Sequence, residues 1–239
     1  MKLRRLDNYL VENFLAQSRT KAQSIIKEGL VCVNGDMILK SSYKIDTKND
    51  KVSVKKHKDY VSRSAYKLSF FLDELKMDID SKVALDIGSS TGGFTQVLLE
   101  YGVKEVTAVD VGKEQLHKSL KDNEKVFSFE SCDIRKFQSD KIFDLLVSDV
   151  AFISLLNILD DIDRLSYDKI ILLFKPQFEV GREAKRDKNG VVMDEKAILN
   201  AMIKFEDACS LKGWKLILKS ASKLTGKEGN LEYCYCYEK

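Results

Sequence analysis

From residue 83 to the C-terminus the chain alternates between two hydrophobic rhythms, and that alternation restricts its folding more than any other feature. Runs rich in Val, Ile, Leu, Phe and Tyr at 83–88, 105–111, 126–131, 143–150, 169–175, 214–223 and 232–237 read as strands. Between most of them lie stretches with helical spacing, at 93–101, 113–120, 153–165 and 195–212. Strands that alternate with helices predict an α/β class: a doubly wound, seven-stranded, mostly parallel sheet covered on both sides. A helix over 63–77 opens this part, with Tyr66, Leu68, Phe70, Phe71, Leu72 and Leu75 on a broad apolar face.

The first residues follow a different plan. Leu6, Leu10, Phe14 and Leu15, then Ala22, Ile25 and Ile26, recur as in two short helices, with Ser18 as N-cap of the second and Gly29 at its end. A strand then meets Asn34-Gly35, a strong hairpin signal; 37–40 returns, and 50–55 closes a small sheet. Charge separates along the chain as well. Residues 1–60 hold 13 Lys or Arg against 7 Asp or Glu, a balance of +6, although the whole chain is only +3, so the rest carries −3. Arg4, Arg5, Arg19 and Lys21 fall at or near helix starts, where backbone N–H groups also favour phosphate. Arg5-Leu6-Asp7, Ser18-Arg19-Thr20-Lys21-Ala22, Gly29-Leu30-Val31 and Val33-Asn34-Gly35 stand in the order and spacing of the S4 RNA-binding fold, which this small α+β segment resembles. The expected domains are therefore 1–58, an S4-like RNA-binding domain, and 59–239, joined by a short charged connector that includes His57.

Composition removes several classes. In 239 residues, 44% hydrophobic and 32% charged, the richest apolar stretch at 145–159 is broken by Ser148, Asp149, Ser154 and Asn157, which leaves no membrane span. The start, MKLRRLDNYL, lacks the apolar centre of a secretion signal. Five Cys without a C-x-x-C pair fit a reduced, cytoplasmic setting rather than a disulfide framework or a metal site. Cys234 and Cys236 alternate with Tyr233, Tyr235 and Tyr237 and read as buried strand positions; Trp214 reads as core and His117 as a helix-surface residue.

The first strand of the large domain runs into Asp86-Ile87-Gly88-Ser89-Ser90-Thr91-Gly92-Gly93-Phe94-Thr95, a tight turn where doubly wound folds bind ligands. It is not G-x-G-x-x-G, and Phe94 stands where a phosphate-binding loop needs Lys, so a dinucleotide and ATP are disfavoured. D-x-G-x-x-x-G is instead the pattern of S-adenosyl-L-methionine-dependent methyltransferases. This resemblance implies cofactor contacts from Asp86, Gly88, Ser89, Ser90, Thr91, Gly92, Gly93 and Phe94. Asp110 with Val111 ends the next strand, where a carboxylate can accept ribose hydroxyls; Asp133 with Ile134 follows the third, in reach of an adenine amine; Asp149 ends the fourth.

A ribose 2′-hydroxyl is a poor nucleophile at neutral pH, and a lysine flanked by carboxylates can both orient it and manage its proton. Four such residues stand on separate elements: Lys67 in Ser62-Arg63-Ser64-Ala65-Tyr66-Lys67-Leu68, Asp149 in Val147-Ser148-Asp149-Val150, Lys175 in Lys175-Pro176-Gln177-Phe178-Glu179, and Glu232 in Gly229-Asn230-Leu231-Glu232-Tyr233. In order and element they resemble the Lys-Asp-Lys-Glu tetrad of FtsJ-like RNA ribose methyltransferases. With Phe152-Ile153-Ser154-Leu155, the motifs together are similar to the TlyA family over essentially the whole chain.

That resemblance implies a ribosomal RNA cytidine 2′-O-methyltransferase with Lys67, Asp149, Lys175 and Glu232 catalytic and S-adenosyl-L-methionine as cofactor. Its partner is ribosomal RNA or a ribosomal subunit, with large-subunit RNA as target. Arg63 joins Arg4, Arg5, Arg19 and Lys21 as an expected RNA contact, and the Gly-, Lys- and Arg-rich segment 180–193 reads as a substrate loop or a solvated one. A non-catalytic RNA-binding assembly factor and the membrane-active haemolysin of the family's other label stand as alternatives; oligomeric state is left open.

Overall fold

The computed structural model describes residues 3–55 and 60–239; the connector at 56–59, with His57, lies outside the described residues. Two compact units divide the chain, Met1–Asp59 and Tyr60–Lys239.

The first unit runs β1 (Leu3–Arg5), α1 (Leu6–Glu12), α2 (Arg19–Lys27), β2 (Val31–Val33), β3 (Asp36–Met37), β4 (Lys44–Asp46) and β5 (Val52–Val54). Ser18 caps α2 by accepting the Lys21 amide at 3.2 Å. Asn34 and Gly35 both take positive φ, the requirement of the tight turn that joins β2 to β3. β2 is the centre of a three-stranded sheet, between β3 and β5, and Leu6, Leu10, Ile25, Ile26, Leu30, Val31 and Ile45 form the buried interior. The antiparallel pair β1 with β4 is not expected from the sequence, because a three-residue strand of Leu-Arg-Arg is too short and too charged to show a period of two.

The second unit runs α3 (Ser64–Leu75), β6 (Val83–Ile87), α4 (Gly93–Glu100), β7 (Glu105–Val109), α5 (Lys118–Lys121), β8 (Val126–Phe129), β9 (Phe143–Ser148), a 3₁₀ turn (Leu155–Asn157), α6 (Leu159–Leu165), β10 (Ser166–Phe174), α7 (Pro176–Glu179), α8 (Glu195–Leu211), β11 (Lys215–Ala221) and β12 (Tyr233–Glu238). All seven expected strands form one sheet in the order β11-β12-β10-β9-β6-β7-β8, parallel except for β12, which is antiparallel to β10 and β11. One face packs Leu146, Phe174, Tyr235 and Tyr237 against Phe205 of α8 and Trp214; the other packs Val147, Ile171, Cys234 and Cys236 against Leu68 and Phe71 of α3 and Phe94 of α4. The Tyr and Cys positions of β12 therefore face opposite layers, as their alternation predicts.

Two helical expectations need correction. Of 113–120, only α5 is helical: the Glu130 carboxylate accepts the Gln115 and Leu116 amides, Glu114 takes positive φ, and His117 caps α5 rather than lying along it. The 153–165 pattern splits into the 3₁₀ turn and α6 because Ser154 caps the Leu156 amide and Glu179 takes that of Leu155. Trp214 is core, with its indole N–H donating to Asp163 at 2.8 Å.

Among the described residues of the first unit one charged side chain is fully buried. Asp7 in the first turn of α1 accepts from Arg5 at 3.0 and 2.9 Å, from Arg19 at 3.2 Å and from Gln23 at 3.1 Å. The Arg5 guanidinium, with help from Gln23 and Arg19, holds the Asp7 carboxyl well below the usual carboxylate range. A depressed folded-state pKa stabilises the fold above the ordinary carboxylate pKa, and that contribution fades as pH falls below about 4. Asp7→Ala is expected to cost the first unit about 1–3 kcal/mol at neutral pH and less at pH 3, read from hydrogen exchange of the α2 and β2 amides in the full chain. Equal protection of both proteins at pH 7 would contradict this.

Candidate active site

The sheet brings distant residues to one edge by register. In the parallel ladder Ile87 and Leu172 both lie opposite Ser148, so Gly88, Asp149 and the residues after β10 emerge on the same side. In the antiparallel ladder Phe174 lies opposite Tyr233, which sets Lys175, just past β10, beside Glu232, just before β12. Lys67, one turn into α3, reaches the same edge.

There Lys67 Nζ lies 2.5 Å from Glu232 Oε2, with the two side chains 9% and 2% exposed. Lys175 Nζ lies 2.6 Å from Asp149 Oδ1, at 11% and 14% exposure, in an ion pair whose angles fall outside hydrogen-bond geometry. Gln177 links the pairs, since it follows Lys175 by two residues and donates to Glu232 Oε1 at 3.2 Å. Among the described residues, buried polar atoms without a hydrogen-bond partner gather at this edge: Asp86 Oδ1, Ser148 Oγ, Asp149 Oδ1 and Gln177 Oε1. In a folded protein such atoms signal a site completed by something else.

With Asp149 in its wall, a cavity of about 570 Å³ opens at the strand ends, where the sheet order reverses between β6 and β9. Gly88, Ser90, Asp110, Val111, Asp133, Ile134 and Asp149 line it, all of them expected from the sequence. Asp110 accepts the Ser90 amide at 2.8 Å and the Gly112 amide at 2.6 Å, one on each oxygen, so each oxygen keeps lone-pair capacity. Asp133 is gripped by the Arg135 guanidinium, which pushes its carboxyl down to about 2. Asp86 is buried behind the cavity, held by the Thr95 hydroxyl at 2.6 Å. Burial, with the charges of Asp149 and Asp110 adding, pushes the Asp86 carboxyl up to about 7.

Not every expected residue borders the cavity. Asp86, Ser89, Thr91, Gly92, Gly93 and Phe94 do not. Phe94 is core, and a side chain at Gly92 or Gly93 would strike Leu120 or Ser62, so these three positions pack the start of α4. Gly88 is different: at φ +78, a Cβ there would lie 3.1 Å from Val150 Cα.

Of the expected RNA contacts, Arg5 and Arg19 share Asp7, Arg4 pairs with Glu12, Lys21 lies in the first turn of α2, and Arg63 is exposed before α3. Segment 180–193 is tied down: Arg186 donates to the Gly181 and Ala184 carbonyls, and Asn230, two residues before Glu232, accepts the Val192 amide at 2.9 Å.

Sequence reasoning assigned no role to Gln177, Glu179, Arg135 or Phe152. Phe152 is 93% exposed at the cavity wall, holds φ +66, and meets Phe178 ring to ring at 5.4 Å. Its sequence signals are its place three residues past Asp149 and its membership of the Phe152-Ile153-Ser154-Leu155 motif, neither of which shows what the ring touches.

A cavity at the switch point of a seven-stranded sheet closed by an antiparallel last strand defines a Rossmann-like methyltransferase fold, shared with a solved protein of Listeria monocytogenes described as an S-adenosylmethionine-dependent methyltransferase, at a TM-score of 0.54 and 15% identity. The model of the FtsJ-like methyltransferase family matches residues 60–239, and that of the S4 domain matches 4–52. Over 97% of this chain and 98% of its own length, the 23S rRNA (cytidine-2′-O)-methyltransferase TlyA of Campylobacter jejuni is 46% identical. The 16S/23S rRNA (cytidine-2′-O)-methyltransferase TlyA of Mycobacterium tuberculosis is 36% identical over 96% of this chain and 87% of its own. A solved protein of Streptococcus thermophilus described as a hemolysin superposes with a TM-score of 0.71 at 32% identity, covering 100% of this chain and 89% of that one. The chain belongs to the TlyA branch of the FtsJ-like methyltransferase family. Among the described residues no helix is long and apolar enough to cross a membrane.

A buried carboxylate stripped of its cation is costly, whereas removing both charges together is not. Lys67→Met is therefore expected to destabilise the second unit by about 3–5 kcal/mol in urea denaturation, and Lys67→Met with Glu232→Gln to regain most of it. A double variant no more stable than the single one would contradict the pairing.

Proposed function

We propose that the chain is an S-adenosylmethionine-dependent ribosomal RNA 2′-O-methyltransferase that modifies cytidine of large-subunit RNA in the cytoplasm. The carrying observation is the buried Lys67–Glu232 pair and the partly buried Lys175–Asp149 pair at one end of the sheet, with Asp149 in the cavity wall. The relatives named for 23S rRNA cytidine 2′-O-methylation support the substrate, and the S4 domain supports an RNA partner.

The residues present fit the cofactor. Asp86 Oδ1 lacks a partner, Gly88 and Ser90 line the cavity, and Asp110 retains lone pairs for ribose hydroxyls. Asp86, Gly88, Ser90, Asp110, Val111, Asp133 and Ile134 would hold it. When bound it supplies a methyl group on positively charged sulfur.

The chain's own groups do the rest. Lys175, anchored by Asp149, donates a hydrogen bond that fixes the 2′-oxygen for in-line attack. The hydroxyl proton passes to this pair, which holds one basic site whether its proton sits on nitrogen or on oxygen. Lys67 and Glu232, braced by Gln177, keep the starts of α3 and β12 locked beside that reaction. Phe152 offers an exposed ring on which a flipped-out base can stack. Arg5 and Arg19, splayed from Asp7, with Arg4, Lys21 and Arg63, contact phosphate.

Lys175→Ala is expected to lower transfer of labelled methyl groups to purified large ribosomal subunits by about 10³-fold, with cofactor affinity kept within about fivefold. Transfer at the wild-type rate would refute the catalytic assignment. Because Asp86 titrates near 7, a cationic ligand favours its ionised form. Cofactor affinity should rise up to about tenfold between pH 6 and 8, and calorimetry near pH 7 should detect proton release on binding. Affinity that is flat or falls over that range would show that Asp86 does not face the bound charge.

A further inference from the structure

The segment Lys175-Pro176-Gln177-Phe178-Glu179 contains a partly buried carboxylate that the proposed chemistry does not use. Glu179 Oε2 accepts the Ser154 hydroxyl at 2.5 Å and Oε1 accepts the Leu155 amide at 2.8 Å. Both donors sit at the far end of the loop that leaves Asp149. That loop, 150–153, lines the cavity and presents Phe152, whose left-handed backbone is unfavourable for an aromatic residue and persists only if its surroundings impose it. Phe178, next to Glu179, packs against the Phe152 ring. Burial raises the Glu179 carboxyl, and the two donated hydrogen bonds oppose that shift.

We propose that Glu179 is a positioning residue for the RNA substrate, acting through Phe152. By fixing Ser154 and Leu155, it holds the loop in the strained form that turns the Phe152 ring outward, in register with the Lys175–Asp149 pair. The loop is thus pinned at one end by Asp149 on Lys175 and at the other by Ser154 and Leu155 on Glu179, both anchors coming from one five-residue segment. Without the second anchor, Phe152 relaxes and the target base loses its platform. This inference rests on the RNA methyltransferase assignment and on the stacking role given to Phe152.

The test measures methyl transfer to large ribosomal subunits by the full chain, with cofactor affinity by calorimetry, for Glu179→Gln, Phe152→Ala and the double variant. Gln keeps the side chain's size but sets an amide where a donor must be accepted. Glu179→Gln is expected to lower kcat/KM for RNA about tenfold, with cofactor affinity within about threefold, because a displaced positioning group costs rate more than ligand binding. The double variant should be no worse than Phe152→Ala alone.

Wild-type transfer by Glu179→Gln, effects that multiply in the double variant, or a fall in cofactor affinity equal to the fall in rate would each overturn the inference. Normal transfer by Phe152→Ala would overturn the stacking role itself, and the inference with it, while leaving the Lys175 assignment to stand on its own assay. If Glu179→Gln does not fold, Ser154→Ala removes one donor and leaves the carboxylate on the Leu155 amide. It should lower kcat/KM for RNA a fewfold, and lower it no further when Phe152 is already Ala; a wild-type value or a multiplied loss overturns the inference equally.

Discussion

Two lysine ammonium groups lie almost out of solvent at one end of the sheet, and each has a carboxylate against it. Burying an unpaired charge of this kind costs several kcal/mol, so the pairing constrains everything that supplies a partner. The first turn of α3, the ends of β9 and β10 and the start of β12 must all converge on one point. The antiparallel setting of β12 has a consequence here: it lets a residue before a strand, Glu232, stand beside a residue after a strand, Lys175. A fully parallel sheet would have sent Glu232 to the opposite edge. Three buried polar atoms at the same place, Asp86 Oδ1, Ser148 Oγ and Gln177 Oε1, lack a hydrogen-bond partner and show where the protein forgoes internal satisfaction.

The five residues from Lys175 to Glu179 distribute their contacts over three neighbours. Lys175 meets Asp149, Gln177 meets Glu232, and Glu179 meets Ser154 and Leu155. Pro176 at the first position of α7 fixes the turn that makes this possible. A short helical turn so placed couples the acid–base pair, the second pair and the cavity wall, so geometry at one is felt at the others. In the first unit Asp7 plays a comparable part by gathering Arg5 and Arg19 around one carboxylate, leaving both guanidinium groups half in solvent.

Much of this was legible in the residues. The seven strands, the opposed faces of Cys234 and Tyr235, the Ser18 cap and the Asn34-Gly35 turn follow from periodicity and local turn chemistry, which act over a few residues. Lys67, Asp149, Lys175 and Glu232 could be placed on the right elements because strand ends mark the ligand edge of a doubly wound sheet. What stayed hidden depends on partners far along the chain. The 113–120 helix is undone by Glu130, the 153–165 helix is split by Glu179, and Phe94 is taken by the core while Gly88 faces the cavity, a difference that six residues of turn conceal. Gln177 and Phe152 lie in motifs that the sequence offers, but only the folded register shows what they touch.

The proposed role of Lys175, paired with Asp149, is to act on a ribose oxygen rather than on a base. The most direct measurement is mass spectrometry of nucleosides and nuclease fragments from large-subunit RNA methylated by the purified protein. The account predicts 2′-O-methylcytidine, with the added mass retained on the sugar after the base is cleaved. A methyl group found on the base would contradict it.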